Sequence, residues 1–294
     1  MASLVAVTSA TTPSPAGRTE LPALDVLLPT AEHVPPDPAE ERLAALYAYG
    51  PPSRGAAVVR ANMVASVDGA AWGPDHRSGS INDDADRRVF RVLRALADVV
   101  LVGAGTARAE GYTALDRPRG LGHLRPAPLE LAVVTRTGRV PEALARGGRP
   151  PYVLTGPRGA EAARGDVPAD RVLVVGREAV EDAGAGRREL DLAAGLAALA
   201  ERGLTRVLTE GGPTLLGDLL AADLVDELCV TTTPVVVGRG PGRIVAGAAP
   251  SGVVADPSGA AARPPRLAHL LHSPVDRPGS PAGTTAARWL LPIG

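Results

Sequence analysis

Arg206 to Glu227 (RVLTEGGPTLLGDLLAADLVDE) constrains this chain more tightly than any other stretch. Thr205–Thr209 is a short β-branched and apolar run that reads as a buried strand, and it leads into Gly211-Gly212 and Pro213. Proline suits the first turn of a helix, where its missing N–H is not needed, and Leu215, Leu216, Leu219 and Leu220 follow at helical spacing. A strand that passes through two glycines into a helix aims several free backbone N–H groups at one spot. The helix dipole adds to the attraction of an anion such as a phosphate there. Glu210 ends the strand beside that spot, where a carboxylate can hold a hydroxyl or steer a proton. The bland alternative is a connection that needs glycine only for its turn.

The rest of the chain repeats this alternation. Ala57–Val67 reads as a strand ending in Asp68-Gly69, then comes a polar loop from Trp72 to Ser80. A helix follows from about Asp83 to Ala97, capped by Asn82 or Asp83, with Val89, Phe90, Val92, Leu93 and Leu96 as its apolar stripe. Asp98–Val102 is the next strand and runs into the turn Gly103-Ala-Gly105-Thr106, which is no Rossmann fingerprint because Arg108 stands where the third glycine would. Leu131–Thr135 (followed by Arg136-Thr137), Tyr152–Thr155 and Arg171–Val175 read as strands, and Leu190–Arg202 as a helix stopped by Gly203. Leu224–Thr232 is a further strand, Val235–Gly240 closes the region, and Ala286–Leu291 supplies a last strand. Strands alternating with helices predict an α/β domain whose mostly parallel sheet is covered on both faces. Such sheets bind ligands beyond the carboxyl ends of their strands, here the loops Asp68–Ser80, Gly103–Glu110, Arg136–Thr137 and Glu210–Thr214. Three of the four offer backbone N–H, hydroxyl or guanidinium groups, which together favour a nucleotide-like ligand.

Composition removes several other chemistries. With 31 basic and 32 acidic residues and 2% aromatics, the chain has neither the charge nor the stacking platforms for nucleic acid. It contains no lysine, so a Schiff-base lysine and a P-loop lysine are both absent. The single cysteine, Cys229, sits in an apolar run and reads as a packed small hydrophobe. No run approaches the ~20 apolar residues of a membrane span and the N-terminus has no basic leader pattern, so a soluble, cytoplasmic protein is expected.

Residues 1–50 read as a partly flexible extension, although Leu24–Leu28 could pair and Asp37 could cap a short helix through Tyr49; the folded core is expected from about Ala56. Residues 51–294 then form one domain, with 246–283 a Pro/Gly/Ala-rich variable segment. His269 and His272 have no third ligand nearby, so an edge-strand or surface role is expected in place of a metal site. Val225–Val237 would offer an apolar face if its strand lies at the sheet edge, to be covered by a second subunit.

At the four rim loops the chain resembles the reductase domain of the riboflavin-biosynthesis deaminase-reductases (RibD C-terminal type), also found as stand-alone pyrimidine reductases. The matching text is Ala65-Ser-Val-Asp-Gly69, Arg91 to Asp98, Val100 to Thr106, Ala109-Glu-Gly-Tyr112, Glu210 to Leu215, Leu224 to Leu228 and Pro234 to Gly240. The resemblance implies a dihydrofolate-reductase-like three-layer α/β sandwich with a mostly parallel central sheet. It implies NADPH as cofactor, a homodimer, and reduction of the ribose of a ribosylamino-pyrimidine 5′-phosphate of the 5-amino-6-(5-phosphoribosylamino)uracil type.

Carried over by position, Ala65 lines the nicotinamide pocket, and Gly103, Thr106 and Glu110 contact the cofactor. Gly211, Gly212, Pro213, Thr214, Leu215 and Leu216 cradle its pyrophosphate. Arg136 and Thr137 fall where the 2′-phosphate would lie, and a guanidinium there favours NADPH over NADH. Ser78, Arg94, Arg117 and Glu210 are the substrate positions, with Arg117 or Arg94 on the ribose phosphate. Asp68, Glu210 and water are the candidate proton donors. The zinc deaminase signature is missing, so only the reduction is implied. Alternatives are a dihydrofolate or pteridine-like reductase on the same scaffold and a non-catalytic NADP-binding protein.

Overall fold

The computed structural model describes residues 21–52, 55–176, 190–247, 264–276, 278 and 281–292. Seven strands form the parallel part of one sheet, in the order β9 (Glu227–Thr233), β3 (Val58–Ser66), β8 (Arg206–Thr209), β4 (Val99–Gly103), β5 (Glu130–Val134), β6 (Tyr152–Thr155) and β7 (Val172–Val174). Their Val, Leu and Ala runs are buried from both sides, as parallel strands beneath helices require. Beyond β9 the sheet continues antiparallel through β11 (Thr285–Leu290), β10 (Arg266–His272), β1 (Leu24–Leu28) and β2 (Glu32–Val34).

Two apolar clusters sandwich this sheet. One holds α1 (Glu41–Leu46), α2 (Asp84–Leu96), α4 (Glu142–Ala145) and α5 (Ala160–Asp166) against Val100, Val102, Leu131 and Val133. The other holds α6 (Leu192–Ala200) and α7 (Pro213–Ala221) against Ala61, Met63, Leu101 and Leu154. The result is the expected three-layer α/β sandwich. Asp83 caps α2, its carboxylate accepting from the Asp86 N–H at 2.9 Å, and Asp191 caps α6 in the same way. The turn expected at Gly103–Thr106 is instead the start of a short helix, α3 (Ala104–Ala109).

The core does not begin near Ala56. Leu24, Val26, Val34, Leu43 and Tyr47 are buried in the first cluster, while residues 1–20 lie outside the described part. Two buried arginines and one half-buried arginine fasten this segment. Arg88 of α2, with no exposed side-chain surface, donates to both Glu40 carboxylate oxygens and to the Pro22, Val34 and Pro35 carbonyls. Arg60 of β3 bonds Glu227 and the Tyr47 carbonyl, and Arg288 bonds Glu227 and the Leu46 and Ala48 carbonyls. Sequence patterning missed the attachment because it runs through arginine side chains 13 to 242 residues away from the carbonyls they bond.

Two further expectations change. β9 lies between β3 and β11, so Val225–Val237 is no open edge; β2 and β7 end the sheet. His269 lies on an interior strand, buried with its ring edge-on to Tyr47 at 4.5 Å. Burial first, then the Arg288 and Arg60 charges, push its pKa down to about 4. Cys229 is buried, and burial pushes its thiol up to about 11, as suits a packed hydrophobe.

Arg88→Ala would leave the buried Glu40 carboxylate and the Pro22, Val34 and Pro35 carbonyls without this donor. Urea unfolding should show a loss of about 3–5 kcal/mol; a loss under 1 kcal/mol would mean that the N-terminal segment is held by something else.

Candidate functional site

At the carboxyl end of the sheet the loops after β4 and β8 touch backbone to backbone. The Gly103 N–H donates to the Gly211 carbonyl at 2.8 Å. A Cβ on Gly212 would fall 2.4 Å from the Thr106 hydroxyl, so a side chain there would displace it. Gly211 has φ +79 and joins Gly212 through a cis peptide bond. Gly212 is the N-cap of α7 and brings no side-chain cap, which leaves the first-turn N–H groups of Thr214 and Leu215 as donors at the helix's positive end. Gly211 and Gly212 are buried, whereas Thr214 is exposed. Beneath this turn Leu215 and Leu216 enter the core. Gly103, Thr106 and the Gly211–Leu216 run thus meet beyond the ends of β4 and β8, while Ala65 lies on the neighbouring β3, paired with Thr232 of β9.

One strand farther out, Arg136 and Thr137 follow β5. Arg136 is exposed and has no ion-pair partner among the described residues; the Thr137 hydroxyl sits 3.5 Å from that of Thr135. Gly138, unremarked in the sequence, packs on Gly159 so closely that a Cβ on it would lie 1.8 Å from the Gly159 carbonyl oxygen. The loops after β5 and β6 are therefore also locked together.

On the α2 side of the rim, Glu210 follows β8 and is 9% exposed. Arg94 grips it with two bonds, Nε to Oε1 and Nη2 to Oε2, both 2.7 Å, and the Tyr112 hydroxyl donates to Oε2. The guanidinium also stacks over Phe90, 4.2 Å from the ring centroid. Burial alone would lower the Arg94 pKa; the Glu210 carboxylate outweighs it and holds the guanidinium above its ordinary value. Burial, then the Glu210 charge, keep the Tyr112 phenol well above its ordinary range, hence protonated. Arg94 and Glu210 were expected here. Tyr112 and Phe90 were not assigned a role, although the four-residue spacing of Phe90 and Arg94 places them on one helix face.

The remaining candidates divide. Ser78 and Glu110 come together, the Ser78 N–H donating to the Glu110 carboxylate at 2.9 Å. Asp68 accepts from Ser66, Val237 and Gly238, which hold its carboxyl below the usual range. It ties the Val235–Gly240 segment to the rim and, being ionised, has no proton to donate. Arg117 lies elsewhere. Its guanidinium donates to the Ala95 and Ala97 carbonyls at the carboxyl end of α2 and to the Ala127 carbonyl, so it caps a helix at the opposite end of the sheet from the glycine loops. A cleft of about 460 Å³ on the outer helices, lined by Arg108, Arg139, Arg146, Glu142 and Asp166, contains no candidate residue. Among the described residues no group of three His, Cys, Asp or Glu could hold a metal ion.

The family model of the RibD C-terminal domain matches residues 57–256, which takes in every rim loop. The chain belongs to that family. It is 30% identical over 183 residues to the 2,5-diamino-6-ribosylamino-4(3H)-pyrimidinone 5′-phosphate reductase of Archaeoglobus fulgidus, covering 60% of this chain and 80% of the relative. The riboflavin biosynthesis protein RibD of Mycobacterium tuberculosis matches at 30% over 173 residues, which is 59% of this chain and 41% of that protein. Among solved structures, a pyrimidine reductase-like protein of Corynebacterium diphtheriae superposes with TM-score 0.61 at 20% identity, covering 81% of this chain and 93% of the other. That likeness shows the RibD-type fold.

Arg117→Ala separates the two readings of that arginine. It should destabilise the fold in a thermal melt while leaving the KM for a phosphorylated substrate within about twofold; a tenfold rise in KM with an unchanged melt would restore Arg117 to the substrate.

Proposed function

We propose that this chain is a cytoplasmic, homodimeric riboflavin-pathway reductase that uses NADPH to reduce the ribose of a ribosylamino-pyrimidine 5′-phosphate. The observation that carries the reading is the adjacency of two unlike surfaces on one rim. Uncapped amides at the start of α7, beside Thr106 and near the exposed Arg136, suit a phosphate-rich cofactor. The Arg94–Glu210–Tyr112 cluster next to them suits a sugar phosphate.

When bound, the reduced nicotinamide supplies a hydride for the sugar C1, which in the ring-opened imine form becomes a CH2 while the nitrogen takes one proton. The protein's part is positioning and exclusion of water. Arg94, the more accessible partner of its ion pair, is left to meet the ribose phosphate now that Arg117 is engaged elsewhere. Glu210 fixes that guanidinium, and the remaining edge of its carboxylate accepts from a sugar hydroxyl. The proton comes from water or from a group of this cluster, not from Asp68. For the dimer, Val67 and Val236 offer exposed apolar surface, held together by the Val67 N–H on the Val235 carbonyl.

NADPH consumption with the ribosylamino-pyrimidine phosphate, compared with dihydrofolate, tests the activity. In the same assay Arg136→Ala should raise the KM for NADPH about tenfold and leave that for NADH nearly unchanged. Equal losses with both cofactors would remove the 2′-phosphate assignment, and no turnover of either substrate would remove the reductase reading.

A further inference from the structure

One face of α2 carries Asp86, Phe90 and Arg94 at four-residue intervals, so the three line up along the helix. Arg94 reaches Glu210 beyond β8, while Asp86 leans on Thr231 of β9. β3 runs between those two strands, so the stripe crosses it. Ala61 and Met63 of β3 belong to the opposite cluster, which leaves Arg60, Asn62 and Val64 facing α2. Two of these are out of keeping with a central strand beneath a helix. Val64 is only half-buried. Asn62 is 8% exposed, and its side-chain Oδ1 has no hydrogen-bond partner. Between helix and sheet, then, Val64, Phe90 and Arg94 keep accessible surface, while behind them the buried Asn62 Oδ1 lacks a donor. In this gap Asn62 and Val64 lie on the sheet side, Asp86 and Phe90 on the helix side, and the Arg94–Glu210–Tyr112 cluster at the rim end.

Asp86 is itself buried, and the reductase reading gives it nothing to do. Burial raises its carboxyl to about 6, against the lowering effect of the Thr231 hydroxyl, and the Asp83 charge adds to the rise. A carboxylate so placed is short of donors.

We propose that Asp86 recognises the heterocycle of the substrate and that the gap takes a 2-amino-4-oxopyrimidine ring, the form that still carries its 2-amino group. The ring N3–H and one 2-amino N–H donate to the two carboxylate oxygens, the Asn62 Oδ1 accepts a further amino N–H, and Phe90 packs against the ring. A uracil ring presents a carbonyl where the amino group stands, so both amino bonds are lost and the carbonyl faces two acceptors. The inference rests on the reductase reading for the rest of the substrate, but the ring preference can be measured without turnover.

Titration calorimetry of the full chain with 2-amino-4-hydroxypyrimidine and with uracil reads the ring site alone. The amino ring should bind about 10- to 100-fold more tightly, and Asp86→Asn should abolish the difference; where that variant does not fold, the wild-type preference decides. Equal binding, tighter binding of uracil, or a preference unchanged in a folded Asp86→Asn variant would overturn the proposal. In the NADPH assay, kcat/KM should favour the 2,5-diamino-pyrimidinone ribosylamino phosphate over the 5-amino-uracil one by a similar factor, mainly through KM. Faster turnover of the uracil form would overturn the ring assignment and keep the reductase reading. Selective binding of the amino ring without turnover of either phosphate would do the reverse.

Discussion

The contact between the Gly103 N–H and the Gly211 carbonyl sets the geometry of the whole rim. Two strands of a parallel sheet normally end in loops that diverge into separate helices. Here the loops after β4 and β8 are joined by that bond, and Gly212, which carries no β-carbon, lets Thr106 approach closely. α3 and α7 therefore start side by side, with Thr106 against Gly212. Glu210 is fixed by the same contact, since its N–H donates to the Leu101 carbonyl of β4 just before the chain turns. The uncapped start of α7 and the carboxylate cluster are thus two faces of a single turn.

Arginine holds the structure together at the other end. Without lysine, the buried cations must be guanidinium groups, whose forked donors can satisfy a carboxylate and several carbonyls together. Arg88 and Arg288 each do so, Arg60 bonds Glu227 and one carbonyl, and all three bind the segment that precedes β3. Arg117 is the same device at the end of α2. That multiplicity makes an arginine a poor functional marker in this chain. Arg94 stands apart because its partner is at the rim and because it remains partly accessible.

The parallel part of the fold was legible because its signals are local: β-branched runs, a capped amphipathic helix at 84–96, and glycines at strand ends. The rim residues were legible for the same reason, being clustered in short motifs. What could not be read was attachment over distance. Nothing in residues 21–49 announces that Arg88, dozens of positions later, will pull them into the core. Likewise β10 looked like an apolar island in a variable segment, and His269 like a surface residue, until pairing with β1 and β11 enclosed them. Arg117 was read as a substrate position because a guanidinium on a loop looks the same in sequence whether it meets a phosphate or the end of a helix, which is where the structure has it.

The charge layout along α2 gives the cleft a direction. Its first turns bring carboxylates, Asp83 and Asp86, and its last turns bring Arg94, which agrees with the helix dipole at both ends. Asp83 is engaged with the Asp86 N–H and the Thr284 hydroxyl, so its charge is held in place and Asp86 alone faces the gap. Glu210 neutralises much of Arg94 yet leaves a guanidinium edge accessible. A ligand with hydrogen-bond donors at one end and a phosphate at the other would be aligned by these fixed groups before any closure of the protein. An uncharged ligand, or one with acceptors at both ends, would gain nothing from that polarity. The orientation follows from the order of residues on one amphipathic helix.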